Sequence, residues 1–417
     1  MNCQLKVFAL MASSLLFACT TPSQAENNGN TGKDPGTTQP TEQKEERPAL
    51  NPSNIPVVDK VLTKAEAASY LDQLTGQWKD SVKVALTYQY EDKVLAIASD
   101  QMKIWWAVYG NKPSDGRSLY ISLHGGGGAP AALNDQQWEN QKRLYQPAEG
   151  VYLAPRAITN TWDLHFVPAA DNFYERIIQM AVAYLDVNPN KVYLMGYSAG
   201  GDGVWRLGPR MADHWAAASM MAGHPGDVTL FSLRNTPFMI WCGALDDAYN
   251  RNEECTKRIA EMDQLQAEDP GGYIHEGHIM EGKGHWMDGE DKAAVPWMAK
   301  YTRNPYPDRV VWCQGDVMKA GFYWLGVSLT EAEKGKRVSA RLDSGNNTVE
   351  IEESDYKHLI IWLNDSMADL DKPVKVVMNG EEVFNDMVER NANTMRKNLI
   401  ARGDPNYAFP AKIEIEL

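Results

Sequence analysis

The chain has 417 residues, of which 43% are hydrophobic and 23% are charged. These proportions are typical of globular proteins and exclude wholesale disorder or a fibrous repeat. With 41 Lys and Arg against 55 Asp and Glu, the formal net charge at pH 7 is −14. An acidic protein repels phosphate backbones, so we expect no nucleic-acid partner. The five cysteines are too few for a disulfide scaffold.

The N-terminus has the pattern of an export signal. Its apolar run, residues 7–18, is too short for a stable membrane-spanning helix. The run ends in Leu16-Phe17-Ala18-Cys19, which resembles a bacterial lipobox with Cys19 as the lipid-modified first residue of the mature protein. By the same resemblance, Thr20 in place of Asp favours the outer membrane. The alternative is ordinary cleavage after Ser23-Gln24-Ala25, which would release a free protein.

A polar segment follows the signal. Residues 20–56 are rich in Thr, Asn, Gly, Pro, Gln and Glu and contain few apolar residues, so they cannot bury enough surface to order themselves. They are predicted to be a tether that holds a catalytic body away from the membrane. We therefore divide the chain into a lipoprotein signal (1–19), a tether (20–56), a catalytic domain (57–306) and a β-sandwich-like accessory domain (307–417).

The catalytic region alternates short apolar runs with helical patterns. Helices are predicted at Thr63–Leu74, Asn172–Leu185 and Asn252–Ala267. The predicted strands are Lys103–Tyr109, Ser118–Leu123, Val151–Ala154, Lys191–Met195, Ala216–Met221, Pro237–Cys242 and Tyr273–Met280. Near-continuous apolar strands that alternate with helices indicate a mostly parallel sheet covered on both faces.

The pattern changes near Arg309. Short strands separated by turn signals are predicted from there to the C-terminus, which indicates a β-rich domain. One helix, Glu389–Ala401, interrupts them, and Asn379-Gly380 is a predicted turn. The predicted strands are Val310–Cys313, Phe322–Leu329, Val338–Leu342, Thr348–Ile351, Leu359–Leu363, Val374–Val377 and Ile413–Leu417.

A candidate nucleophile lies between a predicted strand and a predicted helix. Gly196-Tyr197-Ser198-Ala199-Gly200 has the G-x-S-x-G pattern in the strand–turn–helix context of a nucleophile elbow. The glycines permit a turn too sharp for flanking β-carbons, which lifts the Ser198 hydroxyl clear. Another glycine run, Gly125 to Gly128, follows His124 at the end of a strand. Backbone amides of Ala199 and of Gly125 or Gly126 are predicted to form an oxyanion hole.

A serine nucleophile requires a base and an orienting carboxylate, which follow in the order Ser, Asp, His in this type of fold. Asp246 and Asp247 lie in a turn after a strand, and we favour Asp246 as the triad acid, with Asp247 as the alternative that would otherwise cap the next helix. His285 is the predicted base, because it lies in the glycine-containing loop Gly282-Lys283-Gly284-His285-Trp286, which would let its ring reach over Ser198. His275 and His278 are the competing candidates, but both lie within a predicted strand that would fix the orientation of their rings. Because residues three apart on a strand point to opposite faces, these two histidines are also poor candidates for a shared metal site.

Aromatic side chains near these motifs are candidates for substrate binding. Trp162 and Trp286 could stack on a sugar or a phenolic ring, although any one of the 13 tryptophans could equally fill the core. Cys242 and Cys255 could form a disulfide in an oxidising compartment, with simple burial as the alternative.

Taken together, the elbow, the His-Gly-Gly-Gly loop and the Asp and His placements resemble the α/β-hydrolase superfamily. More narrowly, residues 118–287 are similar to secreted bacterial esterases of the feruloyl esterase, polyhydroxybutyrate depolymerase and dienelactone hydrolase type. The resemblance implies an eight-stranded, mostly parallel sheet with the triad at the carboxyl ends of its strands. Ser198 stands where dienelactone hydrolases use Cys, and the core family offers no counterpart to the C-terminal β domain.

The sequence thus predicts a lipid-anchored serine esterase of the bacterial cell envelope that needs no metal or cofactor. Deacylation of plant or algal polysaccharides, releasing acetyl or feruloyl groups, is the expected reaction. One alternative is a serine peptidase of the prolyl oligopeptidase kind, although those enzymes carry a large propeller or β domain ahead of the catalytic one. The other alternative is a surface binding protein that has lost its chemistry.

Overall fold

The computed structural model describes residues 55–417, all within one compact unit. The predicted signal, most of the tether and the lipidation site Cys19 lie outside the described residues. A short strand β1 (Val61–Leu62) precedes helix α1 (Lys64–Asp92). Helix α1 begins with a capping box in which Thr63 and Glu66 exchange hydrogen bonds. It continues to Asp92 rather than ending at Leu74, because buried apolar side chains recur along its whole length.

An eight-stranded sheet lies at the centre of the catalytic region. Its strands are β2 (Val94–Ile97), β3 (Asp100–Tyr109), β4 (Arg117–Leu123), β5 (Gly150–Pro155), β6 (Val187–Tyr197), β7 (Ala217–Met221), β8 (Phe238–Gly243) and β9 (His275–Met280). Their order across the sheet is β2-β3-β5-β4-β6-β7-β8-β9. Strand β3 is antiparallel to β2 and β5, and every pair from β5 to β9 is parallel. The predicted α/β-hydrolase fold is confirmed.

Both faces of this sheet are buried. Along β6, Val192 and Leu194 belong to one apolar cluster, whereas Tyr193 and Met195 belong to another. Because side chains alternate along a strand, the two clusters lie on opposite faces. The helices that follow α1 are α2 (Ala131–Gln141), α3 (Ala170–Tyr184), α4 (Ala199–Arg210), α5 (Arg251–Glu268) and α6 (Ala294–Met298). The first cluster includes side chains of α1, α3, α4 and α5, and the second includes those of α6.

Several elements of the catalytic region were not predicted, among them β2 and α2. Strand β2 is a four-residue edge strand, too short for a clear apolar pattern. Helix α2 is dominated by polar residues and starts after Pro130 without a side-chain cap, so neither its periodicity nor its boundary marks it as a helix.

The C-terminal region is β-rich, as predicted. Its elements are β10 (Arg309–Cys313), β11 (Gly321–Phe322), β12 (Leu325–Gly326), β13 (Arg337–Asp343), β14 (Thr348–Ser354), β15 (His358–Leu363), β16 (Val374–Met378), β17 (Glu381–Asp386), β18 (Arg390–Asn391), α7 (Ala392–Arg402) and β19 (Ala411–Glu416). One sheet has the order β10-β13-β14-β16-β17 and another the order β11-β12-β15-β19, while β18 pairs with β1.

Three details of this region differ from the prediction. The single strand over Phe322–Leu329 is wrong, because β11 and β12 form a tight hairpin that turns at Tyr323 with φ 51°. The predicted turn at Asn379-Gly380 is present with positive φ at both residues, but it leads into β17, which was not predicted. Helix α7 begins at Ala392, after an Asn391 side chain that caps it.

The C-terminal sheets and the catalytic sheet share one cluster of buried side chains, and the boundary at residues 306/307 stays a prediction. Buried charges cross between the two regions. Arg303 donates hydrogen bonds to Asp404 Oδ2 and to the Asp213 carbonyl oxygen, each at 2.5 Å, and Arg402 pairs with the Asp213 carboxylate. Cys242 and Cys255 are buried and free. No helix within residues 55–417 is long and apolar enough to cross a bilayer.

Candidate active site

Ser198 occupies a sharp turn between β6 and α4. Its backbone has φ 58° and ψ −121°, a strained conformation for a residue with a side chain. A β-carbon on Gly196 would lie 2.3 Å from the Gly200 carbonyl oxygen, and one on Gly200 would lie 2.1 Å from that of Leu123. The two glycines of the motif are therefore required by close backbone contact. The elbow places the serine hydroxyl at the carboxyl end of the central strand β6.

The structure brings Ser198, His285 and Asp246 together. The Ser198 Oγ lies 2.9 Å from His285 Nε2, and His285 Nδ1 lies 2.7 Å from Asp246 Oδ2. A ring between a carboxylate and a hydroxyl has its proton on the carboxylate side, so Nδ1–H donates to Asp246 and Nε2 accepts from Ser198. The Asp246 side chain is 1% exposed and that of His285 is 43% exposed. The carboxylate is thus fixed in the protein while the base faces the solvent.

The neighbouring acid is placed differently. Asp247 is exposed and makes no side-chain hydrogen bond at the start of the short helical turn Ala248–Asn250. The expectation that it caps the following helix is wrong, because α5 begins at Arg251 after Asn250 in a left-handed conformation. Of the two adjacent carboxylates, Asp246 alone contacts the His285 ring.

The glycine loop after β4 is held by an asparagine that the sequence did not indicate. Asn134 Oδ1 accepts a hydrogen bond from the Gly127 amide at 2.9 Å, and a β-carbon on Gly126 would lie 2.1 Å from that oxygen. Gly126 also has φ 114°, so a glycine is required there. Ala199 is the first residue of α4, where amides have no partner within the helix. The predicted donors Gly125, Gly126 and Ala199 each line a pocket that also contains Ser198.

Two buried histidines stiffen this loop. His124 Nε2 accepts a hydrogen bond from the Ala157 amide at 3.1 Å, so its proton is on Nδ1, which donates to the Gly125 carbonyl at 2.6 Å. Burial lowers the pKa of His124 to about 4 and that of His165 well below its ordinary value. His165 Nε2 lies 2.8 Å from the His124 carbonyl oxygen. Both rings are neutral near pH 7 and fix the backbone of the loop.

Tyr197 fastens the loop that carries His285. Its hydroxyl donates to the His285 carbonyl oxygen at 2.5 Å and accepts from the Met287 amide at 3.3 Å. The Tyr197 ring also lies 5.9 Å, centroid to centroid, from the His285 ring. A tyrosine inside a G-x-S-x-G motif gives no sequence signal for this contact, because the loop lies almost 90 residues further along the chain.

Neither of the competing histidines reaches Ser198. His275 Nε2 lies 3.1 Å from Asp263 Oδ1, and the His278 ring stacks on Trp241 at 4.0 Å between centroids. Among residues 55–417, no three His, Cys, Asp or Glu side chains are grouped as ligands of a metal ion.

Two clefts meet at Ser198. The first, which we call the Trp162 cleft, has a volume of about 480 Å³ and also contains Phe166, Tyr249 and Arg251. The second, the Trp286 cleft, has a volume of about 770 Å³ and also contains Gln137, Arg143 and His285. Trp162 is 64% exposed and Trp286 is 52% exposed. Both predicted aromatic residues thus flank the elbow, one on each side.

Charged groups line the Trp162 cleft. Arg251 Nη1 lies 3.3 Å from Asp246 Oδ1, the carboxylate oxygen that does not contact His285. The buried Arg251 Nε has no partner among the described residues. Asp202 accepts a hydrogen bond from the His224 amide at 2.6 Å, and burial raises the pKa of this carboxyl. His224 Nδ1 accepts from the Gly226 amide at 3.0 Å, which leaves the ring proton on Nε2. No sequence pattern marked Arg251 or Asp202.

Several of the solved structures similar to this chain are described as esterases. A thermostable esterase aligns at 18% identity and a TM-score of 0.40 over 51% of this chain and 64% of that one. A ferulic acid esterase aligns at 16% identity and a TM-score of 0.33 over 50% and 95%. A phospholipase/carboxylesterase from Dyadobacter fermentans aligns at 16% identity and a TM-score of 0.35 over 49% and 100%. No family model and no curated protein matches the chain. At such low similarity, the fold is assigned from the chain's own strand order and connections.

Proposed function

We propose that the protein is a serine esterase that cleaves carboxylic ester bonds with Ser198 as nucleophile, His285 as base and Asp246 as the orienting acid. The observation that carries this proposal is the continuous hydrogen-bonded path from Ser198 Oγ through the His285 ring to the buried Asp246 carboxylate, at 2.9 and 2.7 Å. The strained elbow adds support, because such backbone strain is concentrated at functional sites.

In the proposed mechanism, Ser198 Oγ attacks the ester carbonyl as His285 Nε2 takes its proton. Asp246 holds the ring in the correct tautomer and stabilises the imidazolium. The carbonyl oxygen becomes negatively charged and is bound by amides of Ala199 and of Gly125 or Gly126. His285 then donates the proton to the alcohol oxygen as the bond between that oxygen and the carbonyl carbon breaks. Water repeats the sequence on the acyl-enzyme and releases the acid.

The proposal extends to location and substrate. The lipobox-like sequence ending in Cys19 supports an exported protein anchored by lipid in the cell envelope, with the outer membrane as its expected site. The exposed Trp162 and Trp286 rings beside Ser198 can stack on sugar or phenolic rings. Together these features support acylated plant or algal polysaccharides as substrates, with acetyl or feruloyl groups released.

The test uses the purified chain without its signal, with Ser198→Ala as the inactive control. We expect the parent to hydrolyse 4-nitrophenyl acetate and to release acid from acetylated or feruloylated xylan, and the variant to do neither. Cleavage of the small ester without acid release from any acylated polysaccharide would refute the carbohydrate part. Hydrolysis of a matched prolyl amide at a comparable rate would indicate a peptidase, and no turnover of any ester by folded protein would indicate a binding protein.

A further inference from the structure

The two clefts at Ser198 are chemically unequal. Ser198 and Gly126 line both of them, which places the reacting carbonyl where they meet. The His285 side chain lines only the Trp286 cleft. The loop that holds it carries Trp286 as the next residue and is fastened by Tyr197, so the ring stays on that side.

This asymmetry decides how an ester must lie, if the chain is the esterase proposed above. In acylation, the bond from Ser198 Oγ to the carbonyl carbon forms, the bond from that carbon to the alcohol oxygen breaks, and the proton moves from Oγ through His285 Nε2 to the departing oxygen. The departing oxygen must therefore lie within hydrogen-bond reach of His285. We infer that the alcohol part of the substrate occupies the Trp286 cleft and that the acyl part occupies the Trp162 cleft.

The acyl cleft also indicates what kind of acyl group it binds. At about 480 Å³ it is far larger than an acetyl group requires, and its wall includes the aromatic rings of Trp162, Phe166 and Tyr249. Arg251 also lines it and uses Nη1 for its hydrogen bonds to Asp246 and to the Ala248 carbonyl oxygen. A guanidinium in the wall of a cleft is a charged donor that can form a hydrogen bond with a ligand oxygen.

The cleft therefore fits a long acyl group that carries a hydrogen-bond-accepting oxygen, either a hydroxyl or a carboxylate, beyond the ester carbon. The neighbouring polar groups are consistent with this chemistry, because the cleft is also lined by His224, whose ring proton lies on Nε2. By contrast, the Trp286 cleft is larger and is lined by amide and charged side chains such as Gln137 and Arg143, which suits a hydroxyl-rich alcohol.

The first experiment varies the acyl group while the alcohol stays methanol. Methyl acetate, methyl pentanoate, methyl 5-hydroxypentanoate and monomethyl glutarate are compared by kcat/KM. We expect pentanoate to exceed acetate, and at least one of the two oxygen-bearing esters to exceed pentanoate by about tenfold or more, the effect of one hydrogen bond to a charged group. The hydroxyl and carboxylate arms identify which oxygen is bound. Equal or falling values along the series would overturn the acyl assignment.

Arg251→Met and Arg251→Lys test the donor. Arg251 also contacts Asp246, so the readout is the ratio of kcat/KM between the oxygen-bearing ester and methyl pentanoate, which cancels any general loss of activity. We expect the ratio to fall to about 1 in Arg251→Met and to recover partly in Arg251→Lys. An unchanged ratio in both variants would contradict a role for Arg251 in acyl recognition.

The orientation is tested by deacylation kinetics. Once the alcohol has left, hydrolysis of the acyl-enzyme depends on the acyl group alone. We expect Trp162→Ala to change the ratio of deacylation rates between a long acyl-enzyme and an acetyl-enzyme. Trp286→Ala should leave that ratio unchanged while altering the dependence of acylation on the alcohol. The reverse pattern would show that the orientation is reversed. Absence of any acyl-enzyme would instead refute the proposed esterase, so the two failures are distinguishable.

Discussion

Charged groups are used in opposite ways at the elbow and at the junction between the catalytic and C-terminal regions. At the junction, Arg303, Asp213 and Asp404 are buried, and each has partners from across the junction. At the elbow, His285 is 43% exposed and Arg251 Nε has no partner within the described part of the chain. The junction is satisfied by the protein itself, whereas the elbow leaves its base open to the solvent and one buried donor unpaired.

The difference separates stability from binding. A buried charge that is fully paired stabilises one arrangement of the chain, because removing one partner leaves the other uncompensated. Polar groups that line an open cleft, such as the His285 ring, are instead free to meet a ligand. The comparison therefore predicts that junction substitutions change the free energy of unfolding, and that substitutions at the elbow change catalysis with little effect on folding.

The largest effect is expected at the triad acid. Asp246→Asn should lower kcat by about 10⁴-fold, because the amide favours the wrong tautomer of His285. The adjacent Asp247→Asn is a matched control, since that exposed side chain does not contact the ring, and it should change kcat by less than about twofold. Steady-state hydrolysis of 4-nitrophenyl acetate measures both. Equal losses in the two variants would contradict the assignment of Asp246.

At the junction, Arg303→Met should lower the free energy of unfolding by about 3–5 kcal/mol, because it leaves the buried Asp404 carboxylate unpaired. The control is Lys112→Met, which removes an exposed pair with Asp186 and should cost at most about 1 kcal/mol. Urea denaturation gives both values. Under conditions in which Arg303→Met is folded, its kcat should match that of the parent. A lower kcat in the folded variant would contradict the claim that the junction affects stability but not catalysis.

Tyr197→Phe should lower kcat by about tenfold with little change in KM. The substitution keeps the ring but removes the hydroxyl that binds the His285 and Met287 backbone, so the base is held less firmly. The free energy of unfolding should fall by about 1 kcal/mol. Tyr273→Phe serves as the control for loss of a tyrosine hydroxyl, because Tyr273 belongs to the other buried cluster and its hydroxyl donates to the Phe231 carbonyl oxygen at 3.1 Å. A larger effect on KM than on kcat would argue against positioning of the base.

The smallest expected effect is the contribution of His124 to the loss of stability at acidic pH. His124 has a native pKa of about 4 against about 6.5 when unfolded, so below pH 6.5 the unfolded chain binds a proton that the native chain does not. Stability from this group is complete above pH 6.5 and is lost as pH falls towards 4. The free energy of unfolding of the parent should therefore fall between pH 7 and pH 5.5. In His124→Gln this fall should be smaller by about 1 kcal/mol, because the titrating ring is absent. Urea denaturation at the two pH values measures the difference, and parallel losses would contradict a neutral buried ring.

Much of this arrangement could be predicted from the sequence because it depends on local patterns. The strand–turn–helix context of Ser198 and the apolar strands on either side of it predicted the elbow and the sheet. Helix α2 could not be predicted, because it is stabilised by tertiary contacts rather than by an apolar stripe. Tyr197 was missed because its partner His285 is distant in the chain. Asn134 and Arg251 have near partners, Gly127 and Asp246, but no motif marks a side chain that turns back onto its own loop. The choice between Asp246 and Asp247 depended on side-chain direction.

The central claim is that Ser198 is activated by the path through His285 to Asp246. A fluorophosphonate probe reacts with an activated serine hydroxyl, so we would label the folded protein and map the modified peptide by mass spectrometry, with Ser198→Ala and Asp246→Asn beside the parent. The account predicts one label per chain on the peptide that contains Ser198, no label in Ser198→Ala and much slower labelling in Asp246→Asn. Absence of label from folded parent protein, or label on another serine, would contradict it.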